Sequence, residues 1–323
     1  MPASIGEFEL IARYFSRPVH RADLGAGDDC ALLPAPPSGE QIAISTDMLV
    51  ESRHFLPGAD PEALGHKALA VNLSDLAAVG ATPLAFTLAL ALPDADPRWL
   101  EPFSCGLYAL ADRHAIELIG GDTTRGPRTI CITVLGTVPR GQALLRSGAR
   151  DGDDIWISGT VGDARLALGD RRGEWTLDST ARAAAFDRMD RPEPRIGLGR
   201  ALRGIAHAAI DVSDGLLADL GHVLEQSRVG AVVEIDRCPA GPALAGQPID
   251  RRRLCQLAGG DDYELLFTAP PRQRDAVQAA ADACGVPVTR IGRIDAGPGL
   301  RLMDDDGRVA DNVYPGFDHF RAD

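Results

Sequence analysis

Five times in this chain an apolar run closes on small residues and then on an aspartate: IAIST before Asp47, ALAVNLS before Asp75, IELIGG before Asp122, HAAIDVS before Asp214 and LCQLAGG before Asp261. A sixth site, LGAG before Asp28 and Asp29, opens the series. An apolar run must be buried, so each carboxylate is expected where a core element emerges. Carboxylates gathered in one cleft repel one another and resist ionisation unless a cation neutralises them. Ser45, Thr46, Ser74, Thr123 and Ser213 flank these aspartates and add hydroxyl oxygens, with no His or Cys in the pattern. An oxygen-only donor set suits magnesium rather than zinc. Magnesium takes its remaining ligands from water and phosphates, so the chemistry implied is phosphoryl transfer. Read one at a time, the same aspartates are ordinary caps and turn residues; the repetition favours the metal reading.

Glycines sharpen that picture. Gly25, Gly27, Gly120, Gly121, Gly259 and Gly260 stand at or just before the acidic positions, where backbone must come close to a phosphate or metal. Gly25-Ala26-Gly27 is only a fragment of a dinucleotide fingerprint. No G-x-x-x-x-G-K-[ST] occurs, and Lys67 is the only lysine in the chain. A nucleotide here must be held through metals and arginine. Arg146, in LLRSGA just before a polar glycine-bearing stretch, is the arginine candidate, because a guanidinium fits phosphate oxygens two at a time.

The elements that position these residues follow from periodicity and punctuation. Ser4 and Glu7 have capping-box spacing ahead of Phe8, Ile11 and Phe15. Asp60-Pro61 starts a helix to about Val79, and a second runs from Pro97 to His114. Strands are expected at 42–45, 86–92, 116–119 and 129–138. Beyond the polar stretch Ser147 to Asp154, strands are expected at 155–158, 231–235, 263–268, 288–294 and 300–303. Helices are expected near 162–169, 195–204, 214–227 and 272–284. Asp304 to Gly307 reads as a hairpin turn; a calcium loop lacks its downstream Glu. The boundary at the polar stretch gives domains 1–148 and 149–323. Mixing without strict β-α-β alternation argues α+β.

Composition narrows the partners. The net charge of −13 disfavours nucleic acid and anionic membranes. No apolar run is long enough to span a bilayer and no signal-peptide pattern opens the chain, so a cytoplasmic location is expected. The six cysteines form no C-x-x-C pair and read as free thiols.

The stretches GEFELIARYF, GDDCA, ISTDMLVESRHF, KALAVNLSDLAAVGA, LIGGDTTRG, RSGA, DVSDGL, GGDDYELLFT and YPGFDHF cover nearly the whole chain. Together they resemble the thiamine-monophosphate kinase family, whose superfamily includes aminoimidazole ribonucleotide synthetase and selenophosphate synthetase. The resemblance implies an N-terminal sheet that pairs with a second subunit into a barrel, giving a homodimer, and a C-terminal α+β sandwich. It implies ATP and thiamine phosphate as substrates and several magnesium ions. Carried over by motif, Asp29, Ser45, Thr46, Asp47, Asp75 and Asp122 would bind magnesium, and Asp211 and Asp214 would complete the cage. Gly121, Asp122, Arg146, Ser213 and Tyr108 would contact ATP; His54, Glu264 and Phe317 would line the thiamine phosphate site. In GGDDYE the family pattern leads one to expect glutamate where Asp261 stands. Three rivals stay open at this point: a cyclising enzyme of the same superfamily, a two-metal phosphatase, and a non-catalytic nucleotide binder.

Overall fold

A computed structural model describes residues 6–314. It divides into two units, one of residues 6–76 and 81–141, the other of residues 77–80 and 142–314. Phe317 and Ser4 lie outside the described residues, and Glu7 opens α1 (Glu7–Tyr14) with Gly6 as its cap, without a side-chain bond.

The first unit continues with β1 (Glu40–Val50), α2 (Pro61–Ala78), β2 (Thr82–Leu92), α3 (Pro97–His114), β3 (Glu117–Arg125) and β4 (Thr129–Pro139). Its four-stranded sheet has the order β1-β4-β2-β3, with β1 and β3 at the edges. Only the β2–β3 pair, joined through α3, is parallel. Asp96 caps α3 by accepting the Arg98 N–H, Pro97 fits the first turn, and Ala115 ends the helix in the left-handed region. Alternation along β4 buries Ile130, Ile132, Val134 and Val138 and leaves the intervening residues half-exposed. The same alternation on β1 leaves Ile42, Ile44 and Met48 exposed.

The second unit contains β5 (Asp154–Ser158), α4 (Asp163–Arg172), α5 (Ser179–Asp190), α6 (Ile196–Ala201), β6 (Ala208–Asp211), α7 (Leu216–Ser227), β7 (Gly230–Glu234), α8 (Pro242–Ala245), α9 (Ile249–Ala258), β8 (Leu265–Ala269), α10 (Arg274–Cys284), β9 (Val288–Asp295), β10 (Gly299–Met303) and β11 (Val309–Ala310). Its sheet order is β11-β10-β7-β9-β5-β8-β6. Strand β5 is buried along its whole length, and Ile155, Ile157, Leu266, Leu216, Leu220 and Val223 belong to one core under this sheet. The expected hairpin at Asp304 to Gly307 joins β10 to β11.

Two differences from the sequence reading matter for function. The strands at 42–45 and 116–119 run on through the acidic motifs, so Asp47 and Asp122 stand within edge strands rather than beyond their ends. The β-favouring threonines and apolar residues after each motif continue the ladder. Asp75 lies inside α2, one turn before its end, within the helix expected to run to about Val79.

Candidate active site

In the first unit, two hydrogen bonds fasten strand β1 to helix α2. The Ser45 hydroxyl donates to Asp75 Oδ2, and the Asp47 N–H donates to Asn72 Oδ1 at 2.9 Å. Ser45 and Asp47 share one face of a strand, and Asn72 and Asp75, three apart, share one face of a helix. The Asn72 amide is itself fixed, donating to the Ala68 carbonyl at 3.0 Å. Three of the predicted donors, Ser45, Asp47 and Asp75, are thereby brought to one corner. All their ligating atoms are oxygens, which fits a hard divalent cation. Thr46, on the other face of β1, has its hydroxyl against that of Thr133 at 2.8 Å.

Asp122 is elsewhere in the same sheet. The register puts it in a row with Ala89, Cys131 and Met48, while Asp47 shares the next row with Ile132, Leu88 and Gly121. Three strand spacings, about 14 Å, separate the two aspartates within one sheet. Gly121 beside it has φ +150°, and a Cβ there would lie 1.9 Å from the Leu88 carbonyl oxygen, so β2 and β3 can pair here only with glycine. Asp29 is exposed in a loop where its N–H donates to Asp28 Oδ1 at 2.8 Å. His54 follows β1, and its Nδ1 accepts the Val50 N–H at 2.9 Å, so the neutral ring carries its proton on Nε2 as a donor. Tyr108 lies buried on α3 with the Arg17 guanidinium 3.5 Å from its ring centroid. Burial pushes its hydroxyl up to about 12, and among the described residues the oxygen has no hydrogen-bond partner.

In the second unit, two sequence motifs prove to be one structure. The loop after β6 carries Val212, Ser213, Asp214 and Gly215; the loop before β8 carries Gly259 to Glu264. Val212 N–H donates to the Glu264 carbonyl at 2.8 Å and Val212 accepts from Tyr263 N–H at 2.9 Å. Ser213 accepts from Asp261 N–H at 2.8 Å. Asp261 (φ 69°) and Tyr263 (φ 53°) are held in the left-handed region by this pairing, a strain of a kind that concentrates at functional sites. Gly260 is required for the crossing, because a Cβ there would lie 2.1 Å from the Ser213 carbonyl oxygen. Asp211 ends β6 as a buried carboxylate, and Ser213 and Asp214 are half-exposed.

Two residues that shape this unit, Asp219 and Ser227, carry no motif in the sequence. Asp219, on the first turn of α7, accepts the N–H groups of Ser213, Asp214 and Gly215 at 3.0, 3.1 and 3.1 Å through one oxygen. Burial, and then the charge of Asp214, pushes its carboxyl up to about 7. Its signal was available: it sits at i+3 from Leu216 and i−4 from Val223, a carboxylate on the apolar stripe of a helix. Ser227, at the other end of α7, donates to the Arg146 carbonyl at 2.9 Å and accepts Gly148 and Ala149 N–H, both at 3.1 Å. This fixes the backbone beside the exposed Arg146. Glu264 is 0% exposed. Its carboxylate accepts from Ser158 Oγ at 2.6 Å, Arg188 Nη2 at 2.7 Å, and Arg195 Nε and Nη2 at 2.7 and 2.5 Å. Both oxygens are thus committed inside the fold, and a ligand can feel Glu264 only through the two arginines.

Among the described residues no three His, Cys, Asp or Glu side chains stand close enough to hold one ion together. No helix there is long and apolar enough to cross a membrane.

Two mixed α/β units with these loops define the class. Residues 27–138 match the N-terminal domain and residues 150–305 the C-terminal domain of the AIR synthase related proteins. The thiamine-monophosphate kinase of Salmonella typhimurium is 48% identical over 321 residues, 98% of each chain. The crystal structure of the thiamine-monophosphate kinase from Stenotrophomonas maltophilia superposes with a TM-score of 0.84 at 48% identity, covering 94% of this chain and 96% of that one. The complex of AaThiL with AMPPCP and TMP has a TM-score of 0.77 at 31% identity, covering 89% and 90%. The chain belongs to the thiamine-monophosphate kinase family.

Proposed function

We propose that this protein transfers the γ-phosphoryl group of ATP to thiamine phosphate. A phosphate oxygen of the acceptor bonds to the γ-phosphorus, the bond to the β–γ bridging oxygen breaks, and thiamine diphosphate and ADP leave. The observation that carries the reading is the joining of Ser45, Asp47 and Asp75 at one corner of a chain that aligns from end to end with kinases of this kind. The bound complex of AaThiL names the same pair of ligand types, a nucleotide analogue and TMP.

Magnesium, when bound, neutralises the charge between two polyanions and draws it off the transferring group. Asp29, Ser45, Thr46, Asp47, Asp75 and Asp122 in the first unit, and separately Asp211 and Asp214 in the second, are the oxygen donors proposed for several such ions. Ser213, Gly121 and Arg146 contact ATP, with Arg146 pairing phosphate oxygens; Tyr108, buried on α3, is the remaining nucleotide residue. His54 donates from Nε2 to the acceptor phosphate, and Phe317 gives the thiazolium an aromatic face. Glu264 serves this site by holding Arg188 and Arg195. The acceptor is already an ionised phosphate, so no protein nucleophile and no strong base enters the reaction. Catalysis is positioning and charge stabilisation.

The working form proposed is a homodimer in the cytoplasm, without nucleic acid or membrane. The exposed apolar face of β1, with Ile44 64% and Met48 53% exposed, supports it. Edge-to-edge closure of two such sheets would set the β3 edge of one copy beside the β1 edge of the other, joining Asp122 to Asp47 across the interface. ADP release that depends on thiamine phosphate tests the reading; phosphate release without the acceptor would replace it with a phosphatase.

A further inference from the structure

The turn from Val212 to Gly215 has almost every backbone group accounted for. Its carbonyls at Val212 and Ser213 are taken by the Tyr263 and Asp261 N–H groups. Its N–H groups at Ser213, Asp214 and Gly215 all converge on one oxygen of Asp219. The Asp219 N–H in turn donates to the Gly215 carbonyl at 2.9 Å, closing the first turn of α7 on the same loop. Three successive donors on one acceptor fix the peptide planes of Ser213 and Asp214, and so the directions in which their side chains leave the chain. Asp219 is buried at 2% exposure, on the core side of the helix.

We propose that Asp219 is a positioning residue for the nucleotide site: its carboxylate holds the turn that presents Ser213 and Asp214. The inference rests on the function proposed above. A helix cap alone is the competing role, and the two differ in what a substitution moves. A lost cap lowers stability and the fraction of active enzyme. A lost turn geometry weakens ATP binding in the molecules that remain folded.

The test compares full-length wild type, Asp219→Ala and Asp219→Asn by steady-state kinetics with each substrate varied. Asp219→Ala is expected to raise the KM for ATP about 10-fold while the KM for thiamine phosphate stays within about threefold. Asp219→Asn, whose side-chain carbonyl accepts the same N–H groups, is expected to bring the ATP KM back to within about threefold of wild type. If Asp219→Ala does not fold, Asp219→Ser replaces it, since its shorter side chain cannot reach all three donors. An unchanged ATP KM in the folded variant, with only a lower melting temperature, would reduce Asp219 to a cap. An Asn variant as impaired as Ala would show that the charge itself is needed and overturn the positioning role. Should wild type make no thiamine diphosphate, the proposed function fails by itself. Calorimetric binding of ATP with magnesium to the same three proteins then decides the role of Asp219 by the same pattern.

Discussion

The Ser45 hydroxyl donates to the carboxylate of Asp75, tying an edge strand to a helix where an ordinary core would place apolar side chains. The bond leaves the carboxylate half-exposed. Asp75→Asn should therefore keep the fold, since the amide carbonyl still accepts from Ser45, and should lower kcat about 100-fold or more, roughly 2.7 kcal/mol of lost transition-state stabilisation. Circular dichroism and turnover at saturating magnesium check both halves. Near-normal turnover would remove Asp75 from the metal site.

The edge positions of Asp47 and Asp122 make the dimer testable through activity. Asp47→Asn and Asp122→Asn should each be inactive alone. Mixed after reversible unfolding, the two should recover about a quarter of wild-type activity, since half of random dimers are mixed and each has one intact site. No recovery would mean that the two carboxylates serve a site within one copy. Ile44→Asp, a charge on the exposed face of β1, should shift the mass seen by light scattering from dimer to monomer.

Glu264 gives a prediction opposite to that of a ligand-facing carboxylate. Glu264→Gln removes the charge that balances Arg188 and Arg195 and should destabilise the second unit by about 3–5 kcal/mol. Denaturant melts measure this. A stability unchanged within about 0.5 kcal/mol would show that the arginines do not depend on Glu264.

Much of this layout was legible from residue order. The helix was expected from about Pro97 to His114, and its bounds are those observed. The acidic motifs were visible because charge after an apolar run is a local signal. What was hidden is non-local. Helices α5 and α9 lack a clean apolar stripe, Asp178 alone marking the start of the former. The braid between Asp261, Tyr263 and Val212 depends on backbone atoms, which carry no residue identity. Glu264 was expected to line the thiamine phosphate site, and its burial was hidden because the arginines that neutralise it come from α5 and from the N-cap of α6.

Asp262 sets a pH dependence. Both its oxygens accept the Gly162 N–H at 2.9 Å, and burial raises its pKa well above the ordinary carboxylate value. The folded chain then holds a proton that the unfolded chain releases above about pH 3.9. Its contribution to stability is full in acid and falls as pH rises toward the folded pKa. Asp262→Asn keeps the acceptor and cannot titrate, so its urea midpoint should fall less than that of wild type between pH 5 and 7.5 (about those values). Equal slopes would show that Asp262 does not titrate in this range.

The proposed reaction is direct transfer from ATP to the phosphate of thiamine phosphate. Incubation with magnesium, thiamine phosphate and ATP labelled with heavy oxygen on the γ-phosphoryl group, followed by mass detection, tests it most directly. Direct transfer gives thiamine diphosphate with the label on its terminal phosphoryl group, ADP in equal amount and no labelled free phosphate. Labelled phosphate without labelled thiamine diphosphate would contradict it.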